Sequence, residues 1–377
     1  MTIFDFINSW NNDDSCLQVH TSGSTGKPKN MLVEKTRMMN SARITCNFLN
    51  LKAGDTALLC MSADYIAGKM MIVRSIERGL CLVSEKPCGH PLSDEALSTA
   101  TRLIFKRTSA NSLKGTITEE GAYHLDNDGA HLDNGENFDN GEHLDNDDTH
   151  LDNDGAQPLF CFAAMVPMQV YNSLQIPKER ARLARIKHLI IGGGAIDDAL
   201  AAELKTLPNA VWSTYGMTET LSHIALRRLN GPDASSWYTP FDSVQVQLNE
   251  ERCLVIDAPQ VTPHPIVTND IAEIETVPHT RFKIKGRKDN VICSGGIKIQ
   301  IEEVEDLLRP HLSCPFFLAK KKDVKFGEIA VLVTEDEQMN KVEKVCQQVL
   351  PHYFIPKQYI HVDKLPMTET GKPRRII

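Results

Sequence analysis

The sequence predicts an α/β protein, with a large N-terminal domain of βαβ-built sheets over residues 1–285 and a small α+β domain over 286–377, whose mobility is implied only by the family resemblance given below. Three observations predict it. Segments 56–84 and 187–213 each read as strand, helix, strand. A loop rich in glycine and hydroxyls lies between two short apolar runs near the N-terminus. The texture of the chain changes at Gly286-Arg287-Lys288-Asp289, and the segment beyond it has the size of an ordinary small module.

The N-terminal loop is Thr21-Ser22-Gly23-Ser24-Thr25-Gly26-Lys27-Pro28-Lys29. Glycine lets backbone approach a bulky anion, and successive amide N–H groups then cradle its oxygens. A lysine at ~4 Å from a phosphate charge gains roughly 4 kcal/mol at an effective dielectric near 20. The spacing is not that of a Walker A loop, because two residues separate the glycines and proline follows Lys27. The flanks Cys16-Leu17-Gln18-Val19 and Met31-Leu32-Val33 read as strands, so a hairpin presents the loop.

A helix over 35–50 comes next, with Met38, Met39, Ala42, Cys46 and Leu49 at helical spacing. Strand 56–61, helix 63–78 and strand 80–84 make the first βαβ unit, and strand 103–106 extends its sheet. Strand 158–163 and a helix through Met168 and Tyr171 lead to the second unit. There strand 187–191 ends in the turn Gly192-Gly193-Gly194, Asp197 or Asp198 caps helix 199–205, and strand 210–213 delivers Tyr215-Gly216-Met217-Thr218-Glu219. In open α/β sheets, ligands lie beyond the carboxyl ends of the strands, where both of these turns fall. Short strands fill 244–284. Beyond Asp289, Ile301, Val304, Leu307 and Leu308 define one helix face, and 329–333 and 359–362 read as strands.

The chain of 377 residues carries 41 basic and 49 acidic side chains. Residues 119–155 hold 13 of the acidic ones and no Lys or Arg, so the rest of the chain is mildly basic and suits anionic ligands. Within about 120–156 the unit His124-Leu125-Asp126-Asn127 returns near 131, 137, 143 and 150. It lacks the glycine pattern of calcium-binding β-rolls. Its composition predicts a disordered, repeat-expanded surface insertion. Ten cysteines without a Cys-x-x-Cys pair argue against a zinc ribbon and for free thiols in a reducing cytoplasm. The N-terminus lacks the basic start and apolar run of a signal peptide, and no apolar run reaches the length of a membrane span. Nothing marks a nucleic-acid partner, and homo-oligomerisation is left open.

The loop at 21–29, Tyr215-Gly216-Met217-Thr218-Glu219, Thr268-Asn269-Asp270, Gly286-Arg287-Lys288-Asp289 and Pro366-Met367-Thr368-Glu369-Thr370-Gly371-Lys372 occur in this order. The set resembles the adenylate-forming superfamily of acyl-CoA ligases and adenylation domains. The resemblance runs from about Val19 to Lys372 and excludes the acidic insertion. It implies an enzyme using Mg²⁺, ATP and coenzyme A. A carboxylic acid is activated as acyl-AMP with release of pyrophosphate, and a thiol then displaces AMP.

The resemblance also implies residue roles. Thr21, Ser22, Gly23, Ser24, Thr25, Gly26, Lys27 and Lys29 would hold the β- and γ-phosphates. Gly193 and Gly194 would line the adenine pocket, with Tyr215 and Gly216 against the ring. Thr218 would donate to the α-phosphate and Glu219 would hold Mg²⁺. Asp270 and Arg287 would reach the ribose. Lys372 would be the adenylation lysine, Asp289 the hinge, and Ser294, Gly295 and Gly296 the face brought in for the thiol step.

Within the superfamily the chain most resembles o-succinylbenzoate–CoA ligases of menaquinone biosynthesis, on the strength of its compactness, Met165-Val166-Pro167-Met168-Gln169, the run from Tyr215 to Thr220 and the run from Gly286 to Gly296. Such an acid has a second carboxylate, for which Lys69 and Arg74 are candidates. Two departures accompany the likeness. Only about twenty residues precede the phosphate loop, as in an N-terminally shortened form. The segment Cys60-Met61-Ser62-Ala63-Asp64-Tyr65-Ile66-Ala67-Gly68 lacks the Pro and His usual there. The alternatives are another aryl- or acyl-CoA ligase, a stand-alone adenylation enzyme, or an inactive nucleotide-binding relic.

The insertion cannot bury enough apolar surface to offset its chain entropy. Replacing residues 123–156 with a short Gly/Ser linker is expected to leave melting temperature and turnover nearly unchanged. Thermal melts and steady-state assays of the two forms check this.

Overall fold

The computed structural model describes residues 1–20, 30–107, 113–122, 158–194, 196, 198–367 and 373–375. The acidic repeats and Asp197 fall outside the described residues.

Helix α1 (Ile3–Asn11) precedes β1 (Cys16–His20) and β2 (Asn30–Glu34), which pair antiparallel from Cys16↔Glu34 to His20↔Asn30. This is the expected hairpin. Then come α2 (Lys35–Phe48), β3 (Thr56–Leu59), α3 (Ile66–Arg78), β4 (Cys81–Ser84), α4 (Asp94–Ser98), β5 (Thr101–Arg107) and β6 (Gly115–Ala122). After the insertion run β7 (Phe160–Met165), α5 (Pro167–Gln175), α6 (Pro177–Leu183), β8 (Ile186–Ile191), α7 (Asp198–Leu204), β9 (Ala210–Gly216), β10 (His223–Arg228) and β11 (Thr239–Pro240).

Among the described residues these strands form one sheet in the order β11-β10-β9-β8-β7-β3-β4-β5-β6. The central run from β9 to β4 is parallel, and the strands on both flanks are antiparallel. Alternation in β3 shows how both faces are covered. Ala57 and Leu59 pack with Met38, Met39, Met70 and Ile76 of α2 and α3. Leu58 and Cys60 pack with Val170, Leu183 and Leu200 of α5, α6 and α7. The order of succession reverses between β3 and β7. From β3 the chain steps outward to β4, and from β7 it steps the other way to β8 and β9. A crevice opens at such a reversal, beyond the carboxyl ends of the strands. Here Cys60 and Met61 follow the carboxyl end of β3, and Val166 and Pro167 that of β7.

A second body of strands is antiparallel: β12 (Gln245–Leu248), β13 (Cys253–Asp257), β14 (Ile266–Glu275) and β15 (Arg281–Arg287). The division expected after 285 falls inside β15, whose Arg287 still pairs with Asp270. The last body begins at β16 (Val291–Ser294) and continues through β17 (Ile297–Gln300), α8 (Ile301–Leu308), β18 (Phe316–Asp323), β19 (Gly327–Thr334), α9 (Met339–Val349) and β20 (Gln358–His361). Ile301, Val304 and Leu308 of α8 are buried, but Leu307 is 41% exposed, which corrects the expected face. The i, i+3, i+4, i+7 stripe of this helix passes through residue 305, and Glu305 occupies it at 3% exposure. No helix among the described residues is long and apolar enough to cross a membrane.

Glu85, just beyond β4, is buried, and among the described residues neither carboxylate oxygen has a hydrogen-bond partner. Burial, then the Glu179 carboxylate, push it up to about 8. The folded protein keeps a proton that the unfolded chain releases near the ordinary value of 4.5, so stability falls as pH rises from there to about 8. Glu85→Gln is therefore expected to be more stable than the parent at pH 8, with the difference shrinking toward pH 5. Denaturant midpoints across that range check it.

Candidate active site

The residues expected to hold the phosphates, Thr21, Ser22, Gly23, Ser24, Thr25, Gly26, Lys27 and Lys29, lie outside the described residues, as does Lys372. The base of the hairpin is described. His20 Nδ1 and Asn30 Oδ1 meet at 2.5 Å across it. Just after β2, buried Lys35 donates to the backbone oxygen and Oδ1 of Asn12, at 3.0 and 2.6 Å, which ties the hairpin to the end of α1. Burial holds the Lys35 ammonium below its usual range.

The parallel strands end in backbone that only small residues can form. A Cβ on Gly192 would lie 2.4 Å from Thr214 Oγ1, and Gly193 has φ +80°. Gly194 lies against Pro167. A Cβ on Gly216 would lie 2.2 Å from the Ser222 carbonyl oxygen and 2.5 Å from His223 Cα. That close approach lets β9 fold straight back into β10 through the 3₁₀ turn Thr218–Thr220. Thr220, to which the motif reading assigns no role, holds the turn. Its Oγ1 donates toward the Met217 and Ser222 carbonyls and accepts from the Met217 N–H. Leu221 closes the turn at φ +64°, an uncommon conformation for a non-glycine residue. Thr218 is buried, whereas Glu219 is exposed at the tip and nothing among the described residues bonds to its carboxylate.

Tyr215, Asp270 and Arg287 meet. The Tyr215 hydroxyl donates to Asp270 Oδ2 at 2.6 Å, and Arg287 Nη1 approaches Oδ1 at 3.5 Å. Asp270 and Arg287 are cross-strand partners on β14 and β15, which places their side chains together. The Tyr215 ring packs edge-on against Phe282 at 5.0 Å and tilted against Tyr238 at 5.7 Å. Burial first, then the Asp270 charge, raise the phenol well above its usual range, so it stays a donor.

Lys69 and Arg74 separate in role. Lys69 is 2% exposed and donates to the backbone oxygens of Ala63 and Asp64 at 2.6 and 2.8 Å. It braces the loop before α3, where a Cβ on Gly68 would meet the Ser62 oxygen at 2.2 Å. Two of its three donors are thereby engaged by neighbouring carbonyls. Arg74 is also 2% exposed and reaches Ser222 Oγ at 2.6 Å and Thr45 Oγ1 at 3.4 Å, while its buried Nε has no partner among the described residues. No carboxylate among the described residues bonds to it. Burial lowers its pKa to about 10. His223 joins the group through Thr45 Oγ1 at 3.1 Å and Ser222 Oγ at 3.2 Å. Burial and then Arg74 hold the imidazole well below its usual range, so it is neutral. Thr45, Ser222 and His223 carry no motif that sequence reasoning could have used.

Near Asp289, three contacts converge. Asn269 Nδ2 and Arg287 Nη2 donate to its Oδ2 at 3.1 and 3.3 Å, and Lys320 donates to its backbone oxygen at 3.0 Å. Lys288 pairs with Glu251 at 2.7 Å. Ser294 ends β16, and Gly295 and Gly296, at φ +57° and +85°, form the two-residue turn into β17.

No family model matches the sequence. A 2-succinylbenzoate–CoA ligase of Lactococcus lactis is 27% identical over 207 residues, covering 50% of this chain. The match spans 45% of that relative, less than half of its length. An acyl-CoA synthetase (AMP-forming)/AMP-acid ligase II-like protein from Dyadobacter fermentans superposes with a TM-score of 0.57 at 29% identity, over 99% of this chain and 91% of that one. The o-succinylbenzoate CoA synthetase of Bacillus subtilis, solved with its acyl-adenylate intermediate, gives a TM-score of 0.64 at 18% identity, over 95% of this chain and 67% of that one. The adenylate-forming, acyl-CoA synthetase fold expected from the ordered motifs is thus the fold of this chain. Within that class its similarity extends in sequence to 2-succinylbenzoate–CoA ligases.

Gly216→Ala is expected to disrupt the turn, because the added methyl meets backbone that cannot yield. We expect a lower melting temperature, and at least a ~10-fold weaker ATP response if the turn contacts nucleotide. Calorimetry and nucleotide titration check both.

Proposed function

We propose that this chain is an ATP-dependent acid–CoA ligase that forms an acyl-adenylate and then a CoA thioester, with 2-succinylbenzoate as the acid. The observation that carries the reading is the union of Tyr215, Asp270 and Arg287 beside the Gly216 turn, with the Glu219 carboxylate free at its tip. In the first step a carboxylate oxygen of the acid bonds to the α-phosphorus while the bond to pyrophosphate breaks and pyrophosphate leaves with the electron pair. In the second step the thiol sulfur bonds to the acyl carbon, AMP departs, and the thiol proton passes to solvent.

The residues divide this work. Asp270 keeps acceptor capacity for ribose hydroxyls beside the bond from Tyr215, and Arg287 adds donors on the same side. Gly193, Gly194 and Gly216 let backbone approach the base, with the Tyr215 ring as a wall. Thr218 supplies a donor at the α-phosphate. Glu219 fits Mg²⁺, since this ion takes one or two carboxylates and completes its shell with phosphate oxygens and water. Bound there, it would neutralise phosphate charge. Residues 21–29 bind the β- and γ-phosphates, and Lys372 meets the charge that builds where acid and α-phosphate join. The domain from 286 turns about Asp289 between the steps and brings in Ser294, Gly295 and Gly296. A reducing cytoplasm suits the ten free cysteines.

Arg74 supports an acid with two carboxylates. A buried guanidinium on neutral partners carries an unmet charge, and a second carboxylate of the substrate would meet it. The test is a panel of carboxylic acids with ATP and coenzyme A, read as pyrophosphate release and thioester mass. Preference for 2-succinylbenzoate is expected. A different preferred acid reassigns the substrate, thioester formation only on a carrier protein reassigns the acceptor, and no adenylate from any acid refutes the reading. Arg74→Ala is expected to reduce kcat/KM for 2-succinylbenzoate by ~10²-fold or more while changing an analogue without the ring carboxylate far less.

A further inference from the structure

The two hydroxyls that hold Arg74 are given their direction by His223. Arg74 Nη2 donates to Ser222 Oγ at 2.6 Å and to Thr45 Oγ1 at 3.4 Å, so both oxygens face it with lone pairs. Their own protons therefore point elsewhere. Thr45 Oγ1 donates to the Ser41 oxygen at 3.2 Å. Ser222 Oγ lies 3.2 Å from His223 Nδ1, and His223 Nε2 lies 3.1 Å from Thr45 Oγ1. One order of protons satisfies all of these contacts. Ser222 donates to Nδ1, Nε2–H donates to Thr45, and Thr45 donates to Ser41. The imidazole is the member of this chain that touches both hydroxyls. It is held in place by the Phe241 ring, whose centroid lies 5.7 Å away. Burial and then Arg74 keep it neutral, as this order requires.

The residues come from separate elements: Thr45 from α2, Arg74 from α3, and Ser222 and His223 from the entry to β10. Thr45, Arg74 and His223 are buried, so the bonds between them are made away from water, where a wrongly turned hydroxyl is costly. The cluster is fastened to the turn after β9. Thr220 Oγ1 donates to the Ser222 oxygen at 2.7 Å, and Gly216 packs against Ser222 and His223 backbone. The guanidinium is thus fixed relative to the turn that carries Thr218, while its Nε–H has no partner among the described residues.

We propose that His223 is a positioning residue for Arg74, ordering Ser222 and Thr45 so that the guanidinium is held with a donor left for the second carboxylate of a dicarboxylic acid. The inference rests on the reading of Arg74 as the group that meets that carboxylate. Without the imidazole, the Ser222 proton has lost its acceptor and Thr45 a donor. Either hydroxyl then rotates, and the long Arg74 side chain is no longer confined to one geometry. Hydrogen bonds to a charged group are among those whose loss is felt most.

The test uses the full chain and four variants: His223→Phe, Ser222→Ala, Arg74→Ala and the His223→Phe/Arg74→Ala double. Each is assayed with ATP and coenzyme A on 2-succinylbenzoate and on its analogue without the ring carboxylate. His223→Phe is expected to lower kcat/KM for 2-succinylbenzoate by ~10-fold or more, chiefly through KM, while changing that for the analogue far less. The double variant is expected to be no worse on 2-succinylbenzoate than Arg74→Ala, because His223 acts through Arg74. If His223→Phe does not fold, Ser222→Ala carries the same comparison. Equal loss on both acids, no loss on either, or a double variant worse than Arg74→Ala overturns the positioning role alone. A parent without preference for 2-succinylbenzoate over the analogue, or Arg74→Ala affecting both acids alike, overturns the Arg74 reading and the positioning role with it.

Discussion

The hydrogen bond from the Tyr215 hydroxyl to Asp270 joins the nine-stranded sheet to the four-stranded antiparallel one at the place where nucleotide chemistry is proposed. Tyr215 stands at the end of the parallel run, and Asp270 in the middle of β14. A hydrogen bond to an ionised acceptor is among the stronger ones a protein makes, and burial strengthens it. Aromatic packing encloses it. Phe282 stacks with Tyr238 at 5.6 Å, and the Tyr238 hydroxyl meets Ser213 Oγ at 2.9 Å. With Tyr215 fixed in this way, the direction of the next residues is set, and Gly216 must be small for the chain to double back.

The same turn is held from the helical side. Arg74 on α3 reaches Ser222, and His223 links onward to Thr45 on α2. Both His223 bonds are satisfied when the imidazole proton sits on Nε2, so that Thr45 accepts it and Ser222 donates to Nδ1. Neutral hydrogen bonds of this kind contribute about 1 kcal/mol each, whereas burying a charge without its counter-ion costs several. Stability is therefore a poor account of Arg74, and it is on this ground that Arg74 enters the proposed acid-binding role. Lys69, one turn earlier on the same helix, shows the contrast. Its ammonium is bonded to two carbonyls of its own loop and stays in the scaffold.

Local chemistry made much of this fold legible. The alternation of apolar runs and turns exposed both βαβ units, and the apolar flanks of the glycine-rich loop exposed the hairpin. Helical spacing placed Met38, Met39, Ala42 and Cys46 in the core, where they are. The expected face of α8 failed at Leu307 because a buried carboxylate, Glu305, takes a position that apolar patterning would assign to a hydrophobic residue. A partner 70 positions away makes that burial tolerable, and no local pattern reports it.

By itself the sequence determined the α/β class, the order of the motifs and the glycines on which the turns depend, because backbone freedom and side-chain periodicity are properties of neighbouring residues. Only the tertiary structure decided that Tyr215 bonds Asp270 across 55 residues, that Arg74 reaches Ser222 across 148 and that Lys69 braces its own loop. Each of those outcomes depends on which groups lose water together, and that is set by how the sheets and helices pack.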